Sequence, residues 1–208
     1  MKIGVVAANG RVGRKVVTDA IQAGDEVTAI VRHENQTNAQ KVLMKDLFDL
    51  TLDDVKKFDV IVDAFGVWEP AQLVKHQTSL AHLTKILAET NIRLIVVGGA
   101  GSLYVDPEKK TQLMDTPDFP DEFKPLASSM AKAFQELKKV DDVRWTYISP
   151  AADFQADGPL KGHYQIAGDE FTTDENGVSA ISYADYAQAL VDEIHNDQYE
   201  QQRISVRW

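Results

Sequence analysis

The sequence contains no cysteine among its 208 residues. Disulfide bonds, a thiolate nucleophile and a zinc site with cysteine ligands are therefore all excluded. A chain without disulfides depends on its hydrophobic core, and a chain of this length can build one. The length predicts one domain spanning residues 1–208. The lack of cysteine fits a reducing compartment, so we expect a cytoplasmic protein.

Long apolar runs and an excess of basic residues are also missing. No apolar run approaches the roughly 20 residues that span a bilayer, and we expect no leader segment before the first predicted strand. The 32 acidic residues outnumber the 22 basic ones, which gives a formal charge of −10. We therefore expect neither a membrane nor a nucleic acid as a partner. The five histidines lack metal-ligand spacing, so we predict no metal site.

Two glycines follow the first apolar run. Residues 2–7 are typical of a buried strand, Gly10 and Gly13 lie in a turn, and the next ten residues have the apolar spacing of a helix. A second strand at 26–31 completes a strand–turn–helix–strand unit of about 30 residues, typical of dinucleotide-binding folds. Gly10 would let the backbone approach a pyrophosphate, and Gly13 would let the helix pack closely on the strand. Ala7 replaces the first glycine of the usual motif, and alanine is strained there if its φ is positive.

Strands and helices continue to alternate towards the C-terminus. Apolar runs predict strands at 41–44, 59–65, 93–97, 144–149 and 203–207, and apolar stripes predict helices at 73–88, 127–139 and 183–195. This order predicts an α/β fold with a doubly wound parallel sheet, a Rossmann fold with strand order 3-2-1-4-5-6. Residues 103–125 are expected to form a long irregular segment. Residues 151–182, with a hairpin near Gly177, are expected to form a small cap on the substrate side.

The second predicted strand ends at Arg32, where NAD enzymes usually have an acidic residue beside the adenosine ribose. A guanidinium favours a 2′-phosphate, and Arg11 at the start of the helix could add a second charge. We therefore predict NADP(H) as the cofactor, with NAD(H) as the alternative. A solvated arginine after a strand is the simpler explanation of the same residue.

The Tyr-x-x-x-Lys catalytic pair of short-chain dehydrogenases is absent, because none of the six tyrosines has lysine four residues later. Ser128 and Lys132 have the spacing on the right helix, but serine is a much weaker acid. Carbonyl reduction needs a proton donor beside the hydride, whereas a reduced flavin can take its proton from solvent. The absence favours reduction of a flavin or quinone, or cofactor sensing, over alcohol chemistry.

Several motifs together resemble one known family. They are Lys2-Ile-x-Val-x-Ala-x-x-Gly-Arg-x-Gly13, Val31-Arg32, Lys45-Asp46-Leu-Phe-Asp49, Ala64-Phe65-Gly66, Val96-Val-Gly-Gly-Ala-Gly-Ser102, Asp115-Thr-Pro-x-Phe-Pro120, Ser149-Pro-Ala-Ala152 and Ile181-Ser-Tyr-x-Asp-Tyr-Ala187. Over nearly its whole length the chain resembles the NADH-flavin reductases, a group of atypical short-chain dehydrogenases. That group is similar to biliverdin reductase B-type flavin reductases and NmrA-like sensors. The chain departs from it at Ala7, where glycine is usual, and at Phe123, where tyrosine is common.

The resemblance implies an NAD(P)H-dependent reductase with a flavin, FMN or FAD, as its substrate. It implies that the turn and the end of the second strand hold the cofactor, through Ala7, Ala8, Asn9, Gly10, Arg11, Val12, Gly13 and Arg32. The ribose would then lie along Ala64, Phe65 and Gly66, and the nicotinamide near Gly98 and Gly99. Ser102 is the best polar candidate for a catalytic role beside the ring, although a serine that caps the next turn fits equally well.

Other candidates have two interpretations each. Trp68 could stack on an isoalloxazine or pack on the surface, and His76 could face the cleft or lie on a helix surface. His163 and Tyr164 could line the substrate side of the cap. Asp63, within a buried strand, must lie at its exposed end or accept a hydrogen bond from a loop.

Three functions stay open at this point. The first is an NADPH-dependent oxidoreductase with a flavin or quinone-like acceptor, and the second is a non-catalytic NADP(H) sensor that signals to a partner protein. The third is a reductase or epimerase of a small carbonyl substrate. Both a monomer and a homodimer are compatible with the sequence.

Overall fold

Strands and helices alternate from the first residues of the chain. The computed structural model describes residues 1–208. Its strands are β1 (Lys2–Val6), β2 (Glu26–Val31), β3 (Lys41–Met44), β4 (Val60–Asp63), β5 (Arg93–Val97), β6 (Arg144–Pro150), β7 (Asp153–Gln155), β8 (Gln165–Ala167), β9 (Ala180–Ser182) and β10 (Gln202–Arg207). Its helices are α1 (Arg11–Gln22), α2 (Leu52–Val55), α3 (Lys75–Leu87), α4 (Lys124–Leu137) and α5 (Tyr183–Asn196).

The main sheet has the order β3-β2-β1-β4-β5-β6-β10-β8. All neighbours from β3 to β10 are parallel, and β8 is antiparallel to β10. The predicted order 3-2-1-4-5-6 is therefore confirmed, and the closing strand β10 extends it beyond β6. The carboxyl ends of β1, β2, β4, β5 and β6 lie along one edge of the sheet, which we call the carboxyl edge.

Helices cover the two faces of this sheet. Neighbouring residues of β4 show the arrangement, since Val62 packs in the core with α1 and α5 while Ile61 packs in the core with α3 and α4. Successive side chains of a strand point to opposite faces, so a strand buried on both faces has apolar residues throughout. This explains the continuous apolar runs in the sequence. None of the helices is long and apolar enough to cross a membrane.

Two predictions about local structure are wrong in detail. Helix α4 begins at Lys124 instead of residue 127, because Pro125 lies in its first turn, where a missing N–H costs nothing. The expected hairpin near Gly177 is only a turn, in which the N–H of Asp174 donates to the carbonyl of Val178 at 2.8 Å. The short strands of the cap pair elsewhere: β7 with β9, and β8 with β10.

Candidate functional site

The turn after β1 is strained at Ala7. This residue has a φ of 56°, in the left-handed region that alanine rarely occupies. Its carbonyl accepts a hydrogen bond from the N–H of Gly10 at 2.8 Å, which closes the turn directly before α1. The strain anticipated for a positive φ is therefore present, and the closing bond holds it in place.

Gly13 lets α1 pack directly onto this turn. A Cβ atom on Gly13 would lie 2.8 Å from the carbonyl oxygen of Ala7 and 2.9 Å from the Cα of Ala8. Both of these atoms belong to the backbone, and Ala8 is fully buried, so neither atom can move away without disturbing the turn. The close approach expected of Gly13 is thus present in the structure.

The start of α1 presents free backbone donors. Gly10 precedes the helix with extended backbone, no side chain caps the first turn, and no acidic residue lies in it. The first amide of the helix with a backbone acceptor is that of Arg14, which donates to the carbonyl of Gly10 at 2.9 Å. Because the preceding amides, those of Arg11 to Gly13, have no intrahelical partner, this helix start has the chemistry of an anion site.

Arg32 follows β2 at the same edge, with its side chain 62% exposed. Its nearest acidic partner is Asp46, with 3.8 Å between Nη1 and Oδ2. An exposed pair at that distance is weak, so the guanidinium can take another anionic partner.

The loop after β2 is tied to the glycine turn by Asn9. Its side chain accepts from the N–H of Gln36 at 2.8 Å and donates to the carbonyl of Glu34 at 2.9 Å. Arg14, which no sequence motif singles out, donates from Nε to the carbonyl of Asn9 at 2.8 Å and also reaches Gln36.

Arg11 lies on the other side of the turn. Its Nη2 is 3.1 Å from Oδ2 of Asp157 in the cap, and both side chains are exposed. The structure therefore brings Arg14, not Arg11, to the loop that follows β2. No sequence signal marks either contact, because each joins α1 to a loop whose path is set by the tertiary fold.

The chain leaves the sheet after β4 through Ala64, Phe65 and Gly66, directly after the buried Asp63. Asp63 is 5% exposed, and its Oδ1 accepts from the N–H of Phe65 at 3.1 Å, which is the loop contact that the sequence required. Burial raises the pKa of Asp63 to about 6, although the hydrogen bond from Phe65 opposes the shift.

His76 holds the next part of this loop. Its Nε2 lies 3.0 Å from the carbonyl of Val67, and its ring meets Phe65 edge-on with 5.7 Å between centroids. The side chain is buried, and burial lowers the pKa of His76. His76 is thus a buried support of the loop, which is neither of the two positions weighed from the sequence.

Gly98 and Gly99 follow β5 and are fixed by β6. Gly98 lies against the ring of Tyr147, which leaves no room for a Cβ atom. Gly99 donates its N–H to the Tyr147 hydroxyl at 3.3 Å, and its carbonyl accepts from Ser149 Oγ at 2.9 Å. Burial raises the pKa of Tyr147 to about 12, so its phenol stays protonated.

Ser102 lies in a buried charged network. It is 4% exposed, and its Oγ accepts from Nη1 of Arg203 at 2.9 Å. Arg203 in turn donates from Nε to Asp169 Oδ1 at 2.6 Å. These contacts give Ser102 a structural role that the sequence could not reveal, since Arg203 lies on β10; its catalytic role stays a prediction.

The remaining candidates lie apart from this group. Tyr164 donates its hydroxyl to Asp192 on α5 at 2.5 Å, and His163 is exposed. Lys132 is exposed and Ser128 half-buried on α4. No group of three or more histidine or acidic side chains is arranged to hold a metal ion.

Comparison with known proteins places the chain in a family. Residues 7–197 match the NAD(P)H-binding family. YwnB of Bacillus subtilis is 44% identical over 99% of this chain and 98% of its own length. A crystal structure from Streptococcus pneumoniae, of a protein named "putative NADH-flavin reductase", is 49% identical and has a TM-score of 0.98, covering 100% of this chain and 99% of that one. A structure from Burkholderia pseudomallei is 32% identical with a TM-score of 0.87, and covers 100% of both chains.

The matched residues begin within the strained turn and run through α5, so they include the glycine turn, Arg32 and the loops after β4 and β5. The chain belongs to the NAD(P)H-binding family.

Proposed function

We propose that the protein is an NADPH-dependent oxidoreductase whose acceptor is a flavin or a quinone-like molecule. The observation that carries the proposal is the uncapped start of α1 beside Arg32. The amides would bind the pyrophosphate, and the guanidinium would bind the 2′-phosphate. The flavin acceptor is supported by the name of the Streptococcus pneumoniae protein and by the lack of a Tyr-x-x-x-Lys pair.

The residues at the carboxyl edge fit a nicotinamide dinucleotide. Gly66 has open space where a Cβ atom would be, and the strand end at Gly98 and Gly99 is rigid. When bound, NADPH would supply a hydride. The protein would position the cofactor and the acceptor, which is enough when the acceptor takes its proton from water.

One assay distinguishes the three functions that the sequence left open. NADPH oxidation is followed without acceptor and then with FMN, with a quinone and with small carbonyl compounds, alongside a calorimetric titration of NADPH. Turnover with FMN or the quinone is the expected result. Binding without turnover on any acceptor would indicate a sensor, and turnover on small carbonyl compounds alone would indicate the third function.

Arg32 is the residue that would distinguish the two cofactors. A charge-assisted hydrogen bond is worth roughly 1.5–3 kcal/mol, so Arg32→Ala should weaken NADPH binding by about ten- to over a hundredfold and leave NADH binding nearly unchanged. Lys56→Ala is the matched control, because it removes one exposed positive charge at the opposite edge of the sheet. Equal losses for NADPH and NADH would show that Arg32 does not recognise the 2′-phosphate.

A further inference from the structure

Two large aromatic side chains are exposed side by side at the carboxyl edge. Trp68 is 68% exposed and Phe123 is 43% exposed. Their ring centroids are 6.4 Å apart, and the ring planes meet at 74°, an edge-to-face pair. Aromatic surface left in water is unfavourable, so a contiguous exposed aromatic pair suggests a surface that a ligand covers.

The two rings come from the loops that follow β4 and β5. Trp68 lies between β4 and α3, and Phe123 lies between β5 and α4, directly before that helix. The same two loops contain Ala64–Gly66 and Gly98–Gly99, along which we propose that the ribose and the nicotinamide lie. The pair is therefore carried by the loops that border the proposed hydride donor.

Hydrogen bonds fix both loops to one rigid corner of the fold. The backbone next to Trp68 is held by the contact between Val67 and His76 on α3. Ser129 on α4 donates its hydroxyl to the carbonyl of Leu73 at 2.6 Å and accepts from Gln77 at 3.1 Å. Because α3 and α4 are tied together, the backbone segments that carry Trp68 and Phe123 start from bonded positions, and little backbone ordering is needed on binding.

We infer that Trp68 and Phe123 form the surface that binds the electron acceptor, and that they select flat conjugated rings. In an edge-to-face pair the ring faces are not stacked on each other, so a planar ring system can stack on Trp68 while its edge meets Phe123. Isoalloxazines and quinones share this planar chemistry, whereas a small aliphatic carbonyl compound would cover little of the pair. This inference rests on the proposed function.

The test measures acceptor binding and turnover separately. Binding of oxidised FMN and of menadione, a quinone, is measured by calorimetry without NADPH, and KM and kcat are measured with NADPH. Trp68→Ala should raise Kd and KM for both acceptors roughly tenfold, the loss expected for one ring-stacking contact, and leave the NADPH affinity unchanged. Trp68→Phe should retain most of the binding, and Phe123→Ala should give a smaller loss. Leu52→Ala is the control, since it removes an exposed apolar side chain at the opposite edge of the sheet.

The outcomes separate this inference from the proposed function. Normal Kd and KM for both acceptors in Trp68→Ala and Phe123→Ala would overturn the inference and leave the reductase assignment intact. If the wild type binds FMN without oxidising NADPH, the reductase assignment fails, and a loss of FMN binding in Trp68→Ala still supports the aromatic surface. A loss confined to FMN or to menadione would support the inference and identify the acceptor class. A wild-type protein that binds neither acceptor would overturn the inference.

Discussion

Replacing Ala7 with glycine should stabilise the protein, although glycine usually destabilises. Ala7 is held at a φ of 56° by the hydrogen bond from Gly10 and by the packing of Gly13. A residue with a Cβ atom pays about 1–2 kcal/mol in this left-handed conformation, and glycine does not. Glycine loses more backbone entropy on folding, which costs roughly 0.5–1 kcal/mol. The difference predicts that Ala7→Gly raises the free energy of unfolding by about 0.5–1 kcal/mol.

The neighbouring residue provides the control. Ala8 has an ordinary negative φ and is fully buried. Ala8→Gly therefore relieves no strain, and it loses a buried methyl group worth about 0.8 kcal/mol in addition to the entropy term. We expect this variant to lose about 1–2 kcal/mol.

Urea unfolding monitored by circular dichroism measures both changes in the free energy of unfolding. Thermal unfolding provides a second measurement, since about 1 kcal/mol corresponds to a shift in Tm of about 2–4 °C for a chain of this length. Opposite signs for the two variants are expected. If Ala7→Gly is as destabilising as Ala8→Gly, then the turn is not strained at Ala7 and the account of this motif is wrong. NADPH affinity measured on the same variants should be equal to or better than that of the wild type for Ala7→Gly, because glycine accommodates the same backbone conformation.

Two further predictions concern the polar groups beneath the site. The pKa of Asp63 is about 6 in the folded protein and near 3.8 in the unfolded chain. Between these two values the folded state binds the proton more tightly, so this group makes wild-type stability fall as the pH rises from about 4 to about 6. An asparagine side chain does not titrate, so the stability of Asp63→Asn relative to the wild type should rise by about 2–3 kcal/mol between pH 4 and pH 7. Urea unfolding of both proteins across that range measures the difference, and a difference in stability that does not change with pH would contradict this prediction. Ser102→Ala removes an acceptor of the buried Arg203 and should cost about 1–2 kcal/mol of stability; a kcat within about twofold of the wild type would then leave Ser102 with its structural role alone. A large fall in kcat at unchanged stability would instead establish Ser102 as catalytic.

The central sheet could be predicted because its inner strands are buried on both faces. A run such as that of β4, with Val60, Ile61 and Val62 fully or almost fully buried, indicates a covered parallel strand by composition alone. The short strands of the cap give no such signal. β8 is mostly exposed, and it forms because the edge of β10, which lies far along the chain, is available to it. A turn signal at Asn176 and Gly177 specifies the turn but not the partner of its flanking segments.

The candidate site also has one part that the sequence predicts and another that it does not. The glycine turn is a local motif, and the sequence predicts its place and the roles of Gly10 and Gly13. The sign of φ at Ala7, which decides whether the turn is strained, is given only by the structure. Three other contacts depend on how distant loops return to the carboxyl edge. They are the contact of Trp68 with Phe123, that of Arg14 with Gln36 and that of Arg11 with Asp157. Phe123 is visible in the sequence only as a departure from a family pattern, with nothing to indicate that its ring meets that of Trp68.

Four polar side chains near the carboxyl edge share one property that bears on the reaction. Ser102 is bound to Arg203, Tyr147 accepts from the backbone of Gly99, His76 supports Val67, and Asp63 caps the turn at Phe65. Each of these four groups could give or take a proton, yet each is buried and holds a backbone segment or a charged network in place. An enzyme that transferred a proton to a carbonyl oxygen would need one such group exposed to the substrate. With these four groups engaged in structural contacts, the proposed reductase would depend on aligning the cofactor and its acceptor, with the accompanying proton supplied by water.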